Sequence, residues 1–176
     1  MGYGGDGNSS CRTFQTMYDA APLYQNWMQM WEDCQQEDGG MPHCVPNPYR
    51  AGGGPYWCGF VITASWQTYL NYGDRRLLER HYPQMQKWLG YVEKFSVDGL
   101  LQEWENVEYR WWYLGDWLSP NGVDYKNKES VALVSNCYVS YCLDVMSKIA
   151  TELGKHDDAK EYKAQYETIN KLIHEQ

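Results

Sequence analysis

The chain has no apolar run of transmembrane length, and Met1 is followed by glycines rather than by a basic segment and an apolar stretch. The first absence argues against a membrane-spanning helix, and the second against a signal peptide at this end. Basic residues are scarce where a polyanion would need them. Residues 1–60 hold two Arg and no Lys against Asp6, Asp19, Glu32, Asp33, Glu37 and Asp38, and the chain carries a formal charge of −8. Phosphate recognition requires clustered Lys and Arg, so neither nucleic acid nor an anionic membrane surface is an expected partner. The six cysteines (Cys11, Cys34, Cys44, Cys58, Cys137, Cys142) show no C-x-x-C spacing, which argues against zinc. They read as buried free thiols, and they settle neither a compartment nor a disulfide pattern. His43 and His81 stand at no ligand spacing from other candidates and read as surface or loop residues. No metal and no cofactor is expected. The last shortage is Phe, three residues against nine Trp and sixteen Tyr. That aromatic surplus is amphipathic, each ring offering a flat face and a polar tip.

The stretch Gly2-Tyr3-Gly4-Gly5-Asp6-Gly7 brackets one aromatic and one carboxylate with glycines. Glycine lets backbone approach a ligand closely. An aromatic face beside a carboxylate suits a neutral sugar, through stacking on C–H groups and hydrogen bonds to hydroxyls. A second such segment is Leu114-Gly115-Asp116-Trp117-Leu118-Ser119-Pro120.

Elsewhere the pattern is helical and fits one domain. Ser9 or Ser10 is the expected N-cap of a first helix running through Trp31, with Pro22 kinking or splitting it near Ala21. Gly39 to Pro55 reads as loop. A helix is expected from Trp57 to Asn71, stopped by Gly73, and another from Arg75 to Phe95, with Pro83 a kink or a delayed start. Val97 to Ser130 reads as a long non-helical segment with a strand pair around Leu100 to Trp112. Val131 to Leu153 and a helix capped by Asp157 complete the chain. Trp27, Trp31, Trp66 and Trp88 fall on helical stripes and read as core. The fold class expected is all-α: two clear helix pairs plus an unpaired front helix, consecutive hairpins of a larger helical toroid.

Asp6 is the leading site residue, expected to accept hydrogen bonds from sugar hydroxyls or to steer an acid electrostatically. The competing role is a helix-terminal carboxylate favoured by the macrodipole. Tyr3 and Trp57 are expected walls of the pocket, with core packing as the alternative. Trp117 is expected to face substrate, with Trp111 and Trp112 as competitors, and Asp116 to order its loop. Glu103, Glu105 and Glu108 read as a solvated acidic strand edge.

Four pieces carry a resemblance: Gly2-Tyr3-Gly4-Gly5-Asp6, Gly54-Pro55-Tyr56-Trp57, Tyr72-Gly73-Asp74-Arg75-Arg76-Leu77-Leu78-Glu79, and the segment from Leu114 to Pro120. In order and approximate spacing the chain resembles the catalytic domain of bacterial α-L-rhamnosidases, inverting glycoside hydrolases of the six-hairpin, (α/α)6-toroid superfamily. The resemblance implies an internal fragment, residues 1–176, incomplete at both ends and about five helices of roughly twelve. It places Tyr3 on the motif's aromatic position and Asp6 on its final carboxylate. It puts the general acid just upstream of Met1 and the general base beyond Gln176, so the isolated chain is expected to be inert. The substrate it implies is a rhamnose-containing glycoside. Pro42-His43 and Tyr3 depart from the commoner family residues, a change that bears on substrate range. The alternatives are another six-hairpin glycosidase (glucosidase or trehalase-like) and a non-catalytic carbohydrate-binding helical module.

Overall fold

A computed structural model describes residues 2–46, 52–104, 113–116 and 127–175. Among these, α1 (Gly4–Met17) and α2 (Ala21–Asp33) form a first hairpin. A single turn, α3 (Pro55–Cys58), leads into the second hairpin, α4 (Phe60–Tyr72) with α5 (Arg75–Lys94). α6 (Lys128–Glu152) and α7 (His156–His174) form the third. The front of the chain is therefore a pair, not a lone helix. Pro22 sits in the first turn of α2, where its missing N–H costs nothing, and the chain breaks at Tyr18–Ala20. The Tyr72 hydroxyl secures that break, accepting from Ala20 N and lying within hydrogen-bond reach of the Gln15 and Tyr18 carbonyls.

The hairpins stack side by side in two layers. α4 lies between α1 and α6, while α2 packs on α5. Tyr82 and Gln86 of α5 hydrogen-bond Asp158 and Tyr162 of α7. The order α1-α4-α6 backed by α2-α5-α7 explains why α4 is buried almost all round its first turns, from Phe60 to Ser65. A helix enclosed by neighbours has no polar face to present. Trp31, Trp88, Phe60 and Met28 fill the space between the layers, and Trp27 and Trp66 pack against it.

Local chemistry sets the turns. Gly73, at φ 70°, ends α4 in the left-handed conformation, and Asp74 caps α5 by accepting from Arg76 N at 3.1 Å. The Arg76 guanidinium on the same carboxylate holds Asp74 below the usual carboxylate range. The Tyr72-Gly73-Asp74-Arg75-Arg76 run is thus a hairpin turn. α5 continues through Pro83, whose ring lies on the exposed side. The α3–α4 stretch, expected as one helix, is interrupted at Gly59. A Cβ there would meet Trp88 at 2.7 Å and Tyr138 at 2.9 Å, so the backbone is pressed between two aromatic rings. The last helix starts at His156 after Lys155, with no side-chain cap, and Asp157 lies inside its first turn rather than capping it. The expected strand pair lies earlier than Leu100–Trp112. β3 (Ser96–Val97) pairs with β4 (Leu100–Leu101) through Asp98 and Gly99, both at positive φ, a two-residue turn of the kind Asp-Gly favours. Cys11, Cys44, Cys58 and Cys142 are buried free thiols, as expected, whereas Cys34 is half-buried and Cys137 exposed.

His81 corrects the surface reading. It is buried on α5, with Nδ1 3.0 Å from Glu32 Oε2 on α2. Burial pushes its pKa below the imidazole value of 6.5, against the pull of Glu32 and with the Arg80 charge. A base depressed in the native state contributes stability above its unfolded pKa and loses it as pH falls, because only the unfolded chain then binds the proton readily. Urea midpoints followed by Trp fluorescence should therefore drop as pH is lowered below 6.5. His81→Gln should flatten the drop, and parallel profiles for the two proteins would contradict this account.

Candidate functional site

α1, α4 and α6 are each the first member of a hairpin, so their N-terminal ends lie at one end of the front layer. The described residues that lead into α3–α4 and α6, 52–54 and 127, lie at this end. The short turns that cap the hairpins lie at the other.

The glycine-rich opening is built into this end. β1 (Gly2–Tyr3) pairs antiparallel with β2 (Cys44–Val45), Gly2 opposite Val45 and Tyr3 opposite Cys44. Gly4 N then donates to the His43 carbonyl at 3.0 Å. This backbone anchor starts α1 at Gly4, well before the expected Ser9 or Ser10 cap. Those hydroxyls instead bond back to the Gly5 and Asp6 carbonyls one turn earlier. Three glycines in a first turn are poor helix formers. Packing reverses that preference: a Cβ on Gly4 would collide with the Trp57 carbonyl, on Gly5 it would lie 2.6 Å from the Trp57 indole nitrogen, and on Gly7 2.7 Å from the Phe60 ring.

The structure brings the described candidates to one place. Tyr3 is half-buried, its ring 5.5 Å from that of His43, which lies in a loop but is buried. Asp6 is exposed in the first turn of α1. Trp57 is 6% exposed, its ring laid across Gly5. Gly54, at φ 82°, brings its backbone so close to Leu114 that a Cβ would lie 2.9 Å from the Leu114 carbonyl oxygen, and Gly115 abuts Val131 in the first turn of α6. Exposed Asp116 is thereby carried to the same end as Tyr3, Asp6 and Trp57. Trp117, with Trp111, Trp112, Glu105 and Glu108, lies outside the described residues. Glu103 is exposed just after β4.

A hydrogen-bond chain that sequence reasoning missed ties these elements together. The Asn8 amide donates to the Tyr56 carbonyl. Asn8 Oδ1 accepts from Thr63 Oγ1 at 2.6 Å, and Thr63 Oγ1 lies 3.0 Å from the Tyr138 hydroxyl. α1, α3, α4 and α6 are joined through three side chains and the Tyr56 carbonyl. The Thr63 proton is committed to Asn8, so Tyr138 is the donor to Thr63. Burial pushes the Tyr138 phenol well above its ordinary pKa and keeps it a donor. The Tyr56 ring meets those of Trp57 at 5.5 Å and Tyr138 at 5.1 Å, both edge-on. The only sequence signal for this chain was a polar residue, Asn8, one position past the glycines.

Three consecutive helical hairpins stacked in two layers place the chain in the all-α class. The chain belongs to the bacterial alpha-L-rhamnosidase 6 hairpin glycosidase domain family, matched over residues 1–176. It is 30% identical over 174 residues to an alpha-L-rhamnosidase of Streptomyces avermitilis, covering 98% of this chain and 15% of that protein. It is 28% identical over 176 residues to one of Formosa agariphila, covering 98% and 18%. Among solved structures it superposes on the alpha-L-rhamnosidase of Dictyoglumus thermophilum with a TM-score of 0.85 at 28% identity, over 98% of this chain and 19% of that one. On the Streptomyces avermitilis enzyme complexed with L-rhamnose the TM-score is 0.80 at 28% identity, over 97% and 15%. The chain thus spans less than a fifth of these relatives, and its three hairpins form part of an (α/α)6 toroid.

Proposed function

We propose that this chain forms one side of the sugar pocket of an inverting hydrolase acting on terminal α-L-rhamnosides. The observation that carries the reading is the gathering of Tyr3, Asp6, Trp57 and Asp116, remote in sequence, at the N-terminal end of one helical layer. In the proposed pocket, Asp6 accepts hydrogen bonds from ring hydroxyls. Tyr3 stands beside the sugar, and Trp57 backs the site from beneath Gly5. Asp116 orders the turn in which it stands. The C6 methyl of rhamnose gains from aromatic surroundings, as a fully hydroxylated hexose does not. The rhamnosidase relatives support this sugar over the glucosidase or trehalase-like alternative.

Inversion requires an acid and a base on opposite faces of the sugar, about 6.5–9.5 Å apart, with room for a water. We assign both groups to parts of the toroid other than residues 1–176. Each proton transfer contributes roughly 10²–10⁴-fold. The purified 176-residue chain should therefore bind L-rhamnose in calorimetry yet turn over no aryl α-L-rhamnoside above a Tyr3→Ala/Asp6→Ala control. Turnover above that control would place the acid and base within the chain. Absence of rhamnose binding would remove the pocket.

Phe14, Met17, Tyr18 and Leu70 are exposed near the hairpin-turn end, and Leu133 and Tyr141 are exposed on α6. Apolar surface of this kind favours association. Light scattering should show self-association that grows with concentration, and a monodisperse monomer would contradict it.

A further inference from the structure

We infer that Tyr56, rather than serving only as a spacer beside Trp57, reads one hydroxyl of the bound sugar. The inference rests on the pocket proposed above. Tyr56 is half-buried, and its hydroxyl lies 2.9 Å from Ser9 Oγ in an exposed contact. Ser9 stands three residues after Asp6 on α1, a spacing that puts both on one helix face. The phenol oxygen therefore sits one helical turn along from the Asp6 carboxylate, on the same exposed surface.

The direction of the hydrogen bonds follows from the acceptors available. Ser9 Oγ donates its one proton to the Gly5 carbonyl at 3.1 Å, an oxygen that can only accept. The Tyr56 proton then goes to Ser9, and the phenol oxygen keeps a lone pair for an O–H donor from outside. Asp6 and Tyr56 together present two acceptors about one turn apart, which suits two hydroxyls of a single ring.

The phenol is also held in place. Its backbone carbonyl accepts from Asn8, and its ring is flanked edge-on by Trp57 and Tyr138. Asn8 is itself fixed by Thr63, which Tyr138 orients. Asn8 and Thr63 are therefore positioning residues.

The test compares the wild-type 176-residue chain with Tyr56→Phe, which removes one oxygen and leaves the ring. Calorimetry is run with L-rhamnose and with its 2-, 3- and 4-deoxy analogues. Tyr56→Phe should bind L-rhamnose about three- to ten-fold more weakly, the worth of one neutral hydrogen bond. One of the three analogues should be weakened to a similar degree with wild type and bind the variant no worse than L-rhamnose does. Ser9→Ala, which removes the partner that aims the phenol, should weaken L-rhamnose by a smaller factor. Near-ultraviolet circular dichroism checks that each variant is folded, and Ser9→Ala carries the comparison should Tyr56→Phe not fold. Equal L-rhamnose affinity for wild type and Tyr56→Phe overturns the inference and leaves the pocket standing. So does a pattern in which every analogue loses the same factor in both proteins. Failure of wild type to bind L-rhamnose overturns the pocket, and this inference with it.

Discussion

Gly4→Ala is expected to destabilise the chain by about 3 kcal/mol, at the upper end of what overpacking usually costs. The added methyl would collide with the Trp57 carbonyl, and that atom is backbone. A side chain could rotate away. Here relief requires moving either α3 or the start of α1, and both are pinned. Gly4 N is bonded to the His43 carbonyl, and Gly54 backbone abuts Leu114. The comparison is Gly90→Ala in α5, where a Cβ meets nothing within 4 Å. That substitution should stabilise by about 0.5–1 kcal/mol, the ordinary gain of alanine over glycine inside a helix. Urea denaturation of the two variants should therefore move in opposite directions. A Gly4→Ala midpoint equal to wild type would show that α1 does not seat on Trp57 as described.

Asp6→Asn is expected to lower L-rhamnose affinity by about ten- to a hundred-fold, the range for one charge-assisted hydrogen bond. Asparagine keeps the size of the side chain and one acceptor oxygen, so the loss isolates the charge. The same change removes a carboxylate from the first turn of α1, with a stability cost of about 0.3–1 kcal/mol from the helix dipole. Calorimetry and denaturation separate the two effects. Unchanged affinity with reduced stability would confine Asp6 to its helix-terminal role.

The second and third hairpins were legible in the sequence because their signals are local, whereas the first pair read as one front helix. Gly73 and Gly154 supplied the left-handed ends that close two helices, while Pro22 marked a kink or a split and the structure shows the split. Errors arose where a distant contact decided the outcome. Nothing near Gly4 announces a helix start, since the anchor is the His43 carbonyl from another segment. Gly59 interrupts the α3–α4 stretch at a point where Trp88 and Tyr138, from two other helices, leave no room for a side chain. The strand pair was different, because Asp98-Gly99 is a hairpin signal and lay just outside the window assigned. For the site, residue chemistry pointed to Tyr3, Asp6 and Trp57 but not to how they are held. Thr63 and Tyr138 look like ordinary members of helical stripes, and only the layer order brings them to Asn8.

That junction has a thermodynamic meaning. Because Thr63 and Asn8 lock α1, α3, α4 and α6 together before any saccharide arrives, the rotamers around Tyr56 are frozen at folding and not at capture. A visiting monosaccharide would meet a preorganised wall and surrender mainly its own freedom of tumbling and translation. Loosening the junction with Thr63→Val would shift that ordering to the moment of encounter, and the difference would surface as a more unfavourable entropy of association.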